Sequence, residues 1–432
     1  MGEPEDTLES RPLTFVHLSD IHFQSGLSEV SKYDLDSPLR HAILRDLKQF
    51  RERDRFKHFD GILISGDVAY AGKPDEYATA VEWINEIADV IGCDPGLVWC
   101  VPGNHDVDQS VQKGFKTITD THSVLRRSTN LAKDLRDSFD NETNGPLLFQ
   151  PLQAYNEHFG RKYGCPTTCK EPYWEDTLTL NDGSRLVIRG INSSYCSSRD
   201  DEQTKAKLIV GPMQLAFKPE NDITSLVLCH HPPDWVLDGE NLSKTLNAQT
   251  HVQLFGHKHF HQHERAKNSV VLSSGAVHPV RDQQKWEPRY YVLSLFVKGA
   301  DTDRQLEVSL YPRIWDGTKF HFLADRGCDS NEAVTETVQL ESWVSTTTGA
   351  DTSSAIEEAP VMVANRKRLL HQFMLLPYAK QFGIVHGLHL FTPDEMSSLT
   401  DTELFVQAFQ RAKEKNSLEL LWNAIEAEAK SK

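Results

Sequence analysis

The segment Leu13-Thr-Phe-Val-His-Leu18 runs directly into Ser19-Asp20-Ile21-His22. A six-residue run, mostly apolar and rich in strand formers, bounded by a polar turn reads as a buried strand. Its C-terminal end delivers a carboxylate and an imidazole two residues apart. The arrangement recurs twice: Gly61-Ile-Leu-Ile-Ser65 runs into Gly66-Asp67, and Leu97–Val101 runs into Pro102-Gly103-Asn104-His105-Asp106. Between these strands, residues 38–57 carry Leu39, Ile43, Leu47 and Phe50 at helical spacing, and residues 75–91 carry Tyr77, Val81, Ile84, Ile87 and Ala88. The resulting β-α-β-α-β order predicts an α/β layered fold. Open α/β sheets build their sites at the C-terminal edge of the strands, where these polar residues fall.

The pattern continues downstream. Residues 107–175 are mostly polar, with helical stretches around 120–137 and 150–160, and read as an insertion or cap. Thr177–Leu180 and Arg185–Ile191 predict a hairpin about Asn181-Asp-Gly183. Further strands are expected at 225–229, ending in His230, at 251–255, ending in Gly256, and at 269–272. Residues 289–297 and 305–314 alternate like an antiparallel pair. From Gly327 to Pro360 there are seven acidic residues, no basic ones and many Ser and Thr, which predicts a solvated linker. Residues 361–432 predict a helical module, with helices at 365–376, 392–399, 402–413 and 418–429. The expected division is therefore a main domain over 1–326, a linker over 327–360 and a helical module over 361–432.

Composition sets bounds on function. The chain has 432 residues, 39% of them hydrophobic, enough for a substantial core and too apolar for a disordered chain. No apolar run approaches the ~20 residues of a membrane span, so no membrane role is expected. The N-terminal MGEPEDTLESRPL lacks the pattern of a secretory signal, so the expectation is a cytoplasmic protein whose seven cysteines are reduced. The net charge of −16 argues against an extended nucleic-acid footprint, though a metal site can supply local positive charge.

Five motifs stand at strand ends: Asp20-x-His22, Gly66-Asp67, Gly103-Asn104-His105-Asp106, His230-His231 and Gly256-His257-x-His259. Carboxylate, imidazole and amide oxygen form a mixed N/O set suited to manganese, iron or zinc. The glycines before Asp67, Asn104 and His257 are expected to let the strand turn sharply. The order of the motifs resembles the calcineurin-like metallophosphoesterase superfamily over residues 13–315. The resemblance implies a four-layer αββα sandwich with a centre of two divalent transition metal ions at one edge, manganese being the expected metal and iron or zinc the alternatives. On that resemblance, Asp20, His22 and His259 hold one ion, Asn104, His230 and His257 hold the other, and Asp67 bridges both. His105 sits beside the leaving-group oxygen, with Asp106 orienting it. Two ions ~3.5–4 Å apart can share a hydroxide and clamp a phosphoryl group for in-line attack. A histidine can then protonate the departing alkoxide.

Other histidines compete for roles. Strand alternation is expected to point only one of His230 and His231 into the site, which leaves His231 as a substrate contact or a structural residue. His278, at another strand end, is a candidate for lining the pocket. His17 reads as a satisfied buried histidine, and His261 and His263 as polar residues on the strand leaving the last motif. The motifs define the reaction and leave the substrate open. The expected substrate is a phosphodiester, either a nucleotide or nucleic acid, with a phosphomonoester as the alternative. Lys113, Lys116, Arg126, Arg127, Lys133 and Arg136 form local basic patches that read first as a solvated helix face. Residues 361–432 loosely resemble helical adaptor modules fused to effector enzymes in bacterial conflict systems. That resemblance implies recruitment through a protein partner or self-association. A helical extension packed on the main domain is the competing reading.

Overall fold

The computed structural model describes residues 11–25, 34, 36–198, 208–218, 220–278, 287–343, 360–392, 395, 401–415 and 417–429. In chain order the strands are β1 Leu13–Leu18, β2 Gly61–Ile64, β3 Val98–Cys100, β4 Tyr173–Thr179, β5 Arg185–Ile191, β6 Ile223–Cys229, β7 Val252–Phe255, β8 Gln262–Ala266, β9 Ser269–Ser273, β10 Arg289–Lys298, β11 Gln305–Asp316, β12 His321–Ala324 and β13 Val334–Gln339. The helices are α1 Ser37–Arg51, α2 Pro74–Ile91, five short helices α3 to α7 (Gln109–Gly114, Lys116–Arg126, Leu131–Asp140, Asn144–Phe149 and Gln153–His158), α8 Gly239–Gln249, α9 Pro360–Met374, α10 Tyr378–Gly387, α11 Asp401–Glu414 and α12 Leu418–Ala429. Among the described residues, no helix is long and apolar enough to cross a membrane.

Two mixed sheets stack face to face. The first has the order β12-β11-β10-β1-β2-β3, with β13 also pairing with β11, and the second has the order β4-β5-β6-β7-β9-β8. Trp99 on β3 reaches across the sandwich and donates its indole N–H to Asp176 on β4 at 2.8 Å. The inner faces share one continuous core that includes Phe15, Trp99, Leu226, Leu228 and Leu254. The outer face of the second sheet buries Val227, Cys229 and Phe255 against Leu242 and Leu246 of α8. On the other side, α1 is keyed to the first sheet by buried Asp46, which accepts two hydrogen bonds from Arg313 at 2.8 Å. The α2 helix begins at Pro74, where the Glu76 carboxylate accepts the Lys73 backbone N–H at 2.9 Å, and ends at Gly92 in the left-handed conformation. The layers are therefore helix, sheet, sheet, helix, the four-layer α/β sandwich expected.

This topology brings two sets of strand ends together. In the first sheet β1, β2 and β3 run parallel, and in the second β5, β6, β7 and β9 do. The backbone N–H groups of Val277 and His278, just after β9, donate to the carbonyls of Ser19 and Asp20, just after β1, at 2.9 and 3.1 Å. Polar residues that follow different strands of both sheets are thus laced into one edge.

Two organisational expectations change, and a third falls mostly outside the described residues. The segment read as a linker from residue 327 contains β13, which pairs with β11 from Gln305↔Gln339 to Leu310↔Val334. Its Val338 and the following Leu340 are buried. The alternation of Val334, Val338 and Leu340 with polar neighbours makes an edge strand, and the acidic, Ser/Thr-rich composition hides it. Beyond it Trp343 lies over the Arg304 guanidinium, 5.5 Å from ring centroid to Cζ. The expected helix at 392–399 lies mostly outside the described residues. Residues 107–175 form α3 to α7 and contribute Leu125, Leu135, Phe139, Leu152, Tyr155 and Phe159 to the main core. They are a packed flank, and Arg126 and Lys133 are engaged by the Cys196 carbonyl and the Asp137 carboxylate.

The C-terminal helices have their own core of Phe373, Val385, Phe405, Leu421 and Ile425. They are also seated on the main domain. Buried Lys367 of α9 donates to the Tyr163 carbonyl and lies 5.1 Å from the Trp99 ring centroid. His371 stacks on Tyr163 at 5.4 Å, and Arg368 pairs with Asp94 at 3.2 Å. α9 is therefore packed on the main domain.

Candidate metal centre

Asp20, His22, Asp67, His257 and His259 share a backbone peculiarity. Each has a positive φ, between 54° and 69°. Non-glycine residues in the left-handed region are uncommon and costly, and they concentrate where surrounding structure holds a functional side chain in place. The strand ends thus turn at the liganding residues themselves. Of the three motif glycines, only Gly66 has a left-handed φ, at 99°. Gly103 and Gly256 are required for space. A Cβ on Gly103 would lie 2.0 Å from Asp67 Oδ1, and one on Gly256 would lie 2.3 Å from Ser19 Oγ and 2.9 Å from His230 Nδ1. The turn-forming role expected for all three belongs to Gly66 alone.

The side chains converge in two overlapping groups. Donor atoms of Asp20, His22 and His259 lie within 4.8 Å of one another, as do those of His230, His231 and His257. Asp67 joins both, grouping with His22 and His105 on one side and with Asp20 and His230 on the other. Its Oδ2 is 3.3 Å from His22 Nε2 and 3.2 Å from His230 Nε2. Burial opposes the charge on Asp67, but His230, His105 and His22 outweigh it and hold the carboxyl well below its ordinary range. Asp20 pairs with His259 Nε2 at 3.1 Å and accepts the His257 backbone N–H at 3.2 Å.

The rings are oriented from behind. His230 Nδ1 donates to the Ser65 carbonyl at 2.8 Å, which leaves Nε2 facing the cluster. His22 Nδ1 is oriented in the same way by the His278 carbonyl at 3.2 Å. His278 itself is buried, with Nδ1 on the Ile21 carbonyl, so it acts through its backbone and does not line the pocket as expected. His257 is braced by the Trp235 ring, 4.0 Å away and nearly perpendicular.

Asn104 Oδ1 receives three imidazole nitrogens: His230 Nε2 at 3.1 Å, His231 Nε2 at 3.1 Å and His257 Nδ1 at 3.0 Å. An amide oxygen has two acceptor sites, so three rings aimed at it are more than hydrogen bonding can satisfy. Such a donor set fits a cation. Burial, followed by the charge on His230, pushes His257 down to about 3, keeping it in the neutral form that ligation needs. Both adjacent histidines therefore face the site, contrary to the alternation argument, because the strand ends at Cys229 and His230 lies beyond its pleat. His231 differs from His230 in what stands behind it. Ser193 Oγ accepts the His231 backbone N–H at 3.2 Å and pairs with Nδ1 of the same ring at 2.8 Å. With Ser193 donating to Nδ1, the Nε2–H of His231 orients the Asn104 amide.

His105 stands at the rim. Its backbone N–H donates to Asp67 Oδ1 at 2.8 Å, and its Nδ1 lies 2.8 Å from the Tyr70 carbonyl. Asp106 does not orient it. The Asp106 carboxylate is fully buried and accepts from Gly103 N at 2.8 Å, Ala69 N at 2.9 Å, Val68 N at 3.3 Å and Tyr77 Oη at 3.0 Å. It ties the loop after β3 to the loop after β2. Burial and then the charge of Asp67 raise it to about 6. His17 is buried between Ser65 and Ser274, as expected, and His261 stacks on His263 and Tyr291. Tyr70, Ser193 and Trp235 escaped the sequence reading, because none belongs to a residue type or spacing that signals metal chemistry.

The calcineurin-like phosphoesterase family model matches residues 13–261. The chain belongs to this family. A metallophosphoesterase-like protein of Bacillus subtilis (strain 168), YydB, is 24% identical over 322 residues, covering 70% of this chain and 59% of that protein. The chain thus spans less than two thirds of that relative's length. Among solved structures, a dimetal phosphatase from Danio rerio is similar with a TM-score of 0.38 and 12% identity, covering 76% of this chain and 99% of that one. Vacuolar protein sorting 29 from Cryptosporidium parvum has a TM-score of 0.32 and 10% identity, covering 76% and 99%.

Membership of this family implies phosphoric ester hydrolysis at a centre for two divalent metal ions. The residues present fit that centre. Asp20, His22, Asp67 and His259 would hold one ion, and Asp67, Asn104, His230 and His257 the other.

Proposed function

We propose that this calcineurin-like phosphoesterase hydrolyses a phosphodiester, a nucleotide or nucleic acid, with His105 as the general acid. The position of His105 carries this reading. The Tyr70 carbonyl can only accept, so Nδ1 of His105 keeps a hydrogen and Nε2 is the nitrogen that can hold a second proton toward the cluster. The His105 backbone N–H on Asp67 Oδ1 holds the ring at a set offset from the bridging carboxylate. A proton so placed serves a departing alkoxide, the poor leaving group of a natural diester. Two divalent ions, manganese being our choice, supply Lewis-acid activation of the phosphoryl group and of water when bound. His231 positions Asn104, and Asp106 locks the loop that presents His105.

The test is turnover with manganese of a dinucleotide, a cyclic nucleotide, single-stranded DNA and RNA, and bis-p-nitrophenyl phosphate, against p-nitrophenyl phosphate as the monoester. Turnover of monoesters alone overturns the diester reading. His105→Ala is expected to retain both ions and lose about 100- to 10,000-fold on the natural diester. The loss on the nitrophenyl diester should be much smaller, since its leaving group needs little protonation. Equal losses on both would show that His105 places the phosphate and does not donate the proton.

A further inference from the structure

Tyr70 lies three residues after the bridging carboxylate and was singled out by no motif. Its ring centroid is 5.2 Å from that of His105, tilted by 35°, and 6.3 Å from that of His22, edge-on. Tyr70 is 49% exposed. The backbone beneath it is held firmly, with the Tyr70 N–H on the Phe23 carbonyl at 2.9 Å and the Tyr70 carbonyl on His105 Nδ1 at 2.8 Å. Among the described residues its hydroxyl makes no hydrogen bond. Phe260, the neighbour of His259, is likewise 50% exposed. The rim of the centre therefore presents aromatic surface to solvent.

We propose that the Tyr70 ring is the platform on which the departing nucleoside of the diester stacks, so that the site selects leaving groups bearing an aromatic base. The proposal rests on the diesterase reading. In that reaction the P–O bond to the departing group breaks, the departing oxygen keeps the electron pair and takes the proton from His105 Nε2, and water supplies the oxygen that replaces it on phosphorus. The departing group must then lie on the His105 side of the phosphorus. Tyr70 is the exposed flat surface there, and the hydrogen bond from His105 to its own carbonyl fixes acid and platform relative to each other. A half-exposed ring on a rigid backbone stacks a base without losing much freedom of its own. It also supplies recognition that needs no basic groove, in keeping with a net charge of −16.

The test compares thymidylyl-(3′→5′)-thymidine with the methyl ester of thymidine 3′-phosphate, scoring thymidine 3′-phosphate formed with manganese. The two differ only in whether a nucleoside or methanol departs. Tyr70→Ala preserves the carbonyl that holds His105, and any loss of ring packing against His105 acts on both esters alike, so the ratio between the two substrates is the readout. KM for the dinucleoside should rise about 5- to 100-fold relative to KM for the methyl ester, the range of a lost base–aromatic stack. Tyr70→Phe should behave as wild type, and Tyr70→Leu, which fills the space without a π-face, should behave like Tyr70→Ala. An unchanged KM for the dinucleoside, or equal losses on both esters, overturns the platform and leaves the diesterase reading standing. Wild-type enzyme that forms product from neither diester while hydrolysing thymidine 3′-phosphate overturns the diesterase reading and the platform with it.

Discussion

Replacing Gly103 with alanine should empty or weaken both metal sites, although Gly103 ligates nothing. A Cβ there would lie 2.0 Å from Asp67 Oδ1 and 2.6 Å from its Cγ and backbone nitrogen. Non-bonded heavy atoms settle at about 3.5 Å or more, so either the carboxylate or the loop must move by more than about 1 Å. The loop cannot yield freely, because Gly103 N is bound to Asp106 and His105 N to Asp67 itself, both at 2.8 Å. The movement therefore falls on Asp67, which serves both ions. Disturbing the groups that orient a ligand costs roughly 10- to 100-fold in metal affinity, and here the loss should register at both sites. A displacement of about 1 Å at a reacting centre costs on the order of 100-fold in rate. Overpacking itself should remove about 1–3 kcal/mol from the stability of metal-free protein. Calorimetric titration with manganese, turnover of bis-p-nitrophenyl phosphate and thermal melts with and without metal measure the three effects. Gly114→Ala is the control, since a Cβ there meets nothing within 4 Å. A Gly103→Ala protein that binds two ions with wild-type affinity and turns over normally would refute the spatial argument.

Two further outcomes follow from the fold. A chain ending at residue 343 should melt at least about 5 °C above one ending at residue 326. The shorter chain loses β13 with Val338 and Leu340, and burying each such side chain contributes about 1.5–3 kcal/mol; equal melting temperatures would mean that β13 is dispensable to the sandwich. His251 accepts the Ser225 N–H on Nδ1 at 3.0 Å, and burial, with the charge of Arg304, pushes it down to about 4. The unfolded chain then takes up this proton between pH 6.5 and 4 while the folded chain does not, so stability should fall as pH drops through that window. His251→Gln should flatten the decline in urea midpoint between pH 7 and pH 5, measured in chelator, and an unchanged slope would place the acid sensitivity elsewhere.

The candidate metal ligands were readable because each sits where a short apolar run stops. Hydrophobic periodicity locates a strand and its end from local sequence, and a chelating residue just past that end needs no knowledge of the rest of the chain. The same local signal carried the α1 and α2 helices, the β4–β5 hairpin and the β10–β11 pair. It failed at β13, whose Val334, Val338 and Leu340 alternate correctly inside an acidic, Ser/Thr-rich stretch that composition marks as solvated. An edge strand needs only one buried face, and its pairing energy comes from β11, some thirty residues away in the register Gln305↔Gln339.

What the chain decided locally, then, is which residues can bind metal and which strands carry them. Long-range packing decided what each of them does. Asp106 neighbours His105 in sequence, yet it faces the loop after β2, because four donors from Gly103, Val68, Ala69 and Tyr77 claim its carboxylate. His231 joins the site because β6 ends before it, and Ser193, a residue of another loop, holds its ring from behind. His278 lends a carbonyl to His22 across 256 positions of chain. Tyr70 holds His105 through a main-chain oxygen that any residue would supply, so its side chain left no mark in a motif. Lys367 docks α9 into a pocket built by Tyr163 and Trp99. Hydrogen bonds and close approaches of this kind depend on which surfaces meet, and surfaces distant in sequence meet only once two sheets have stacked.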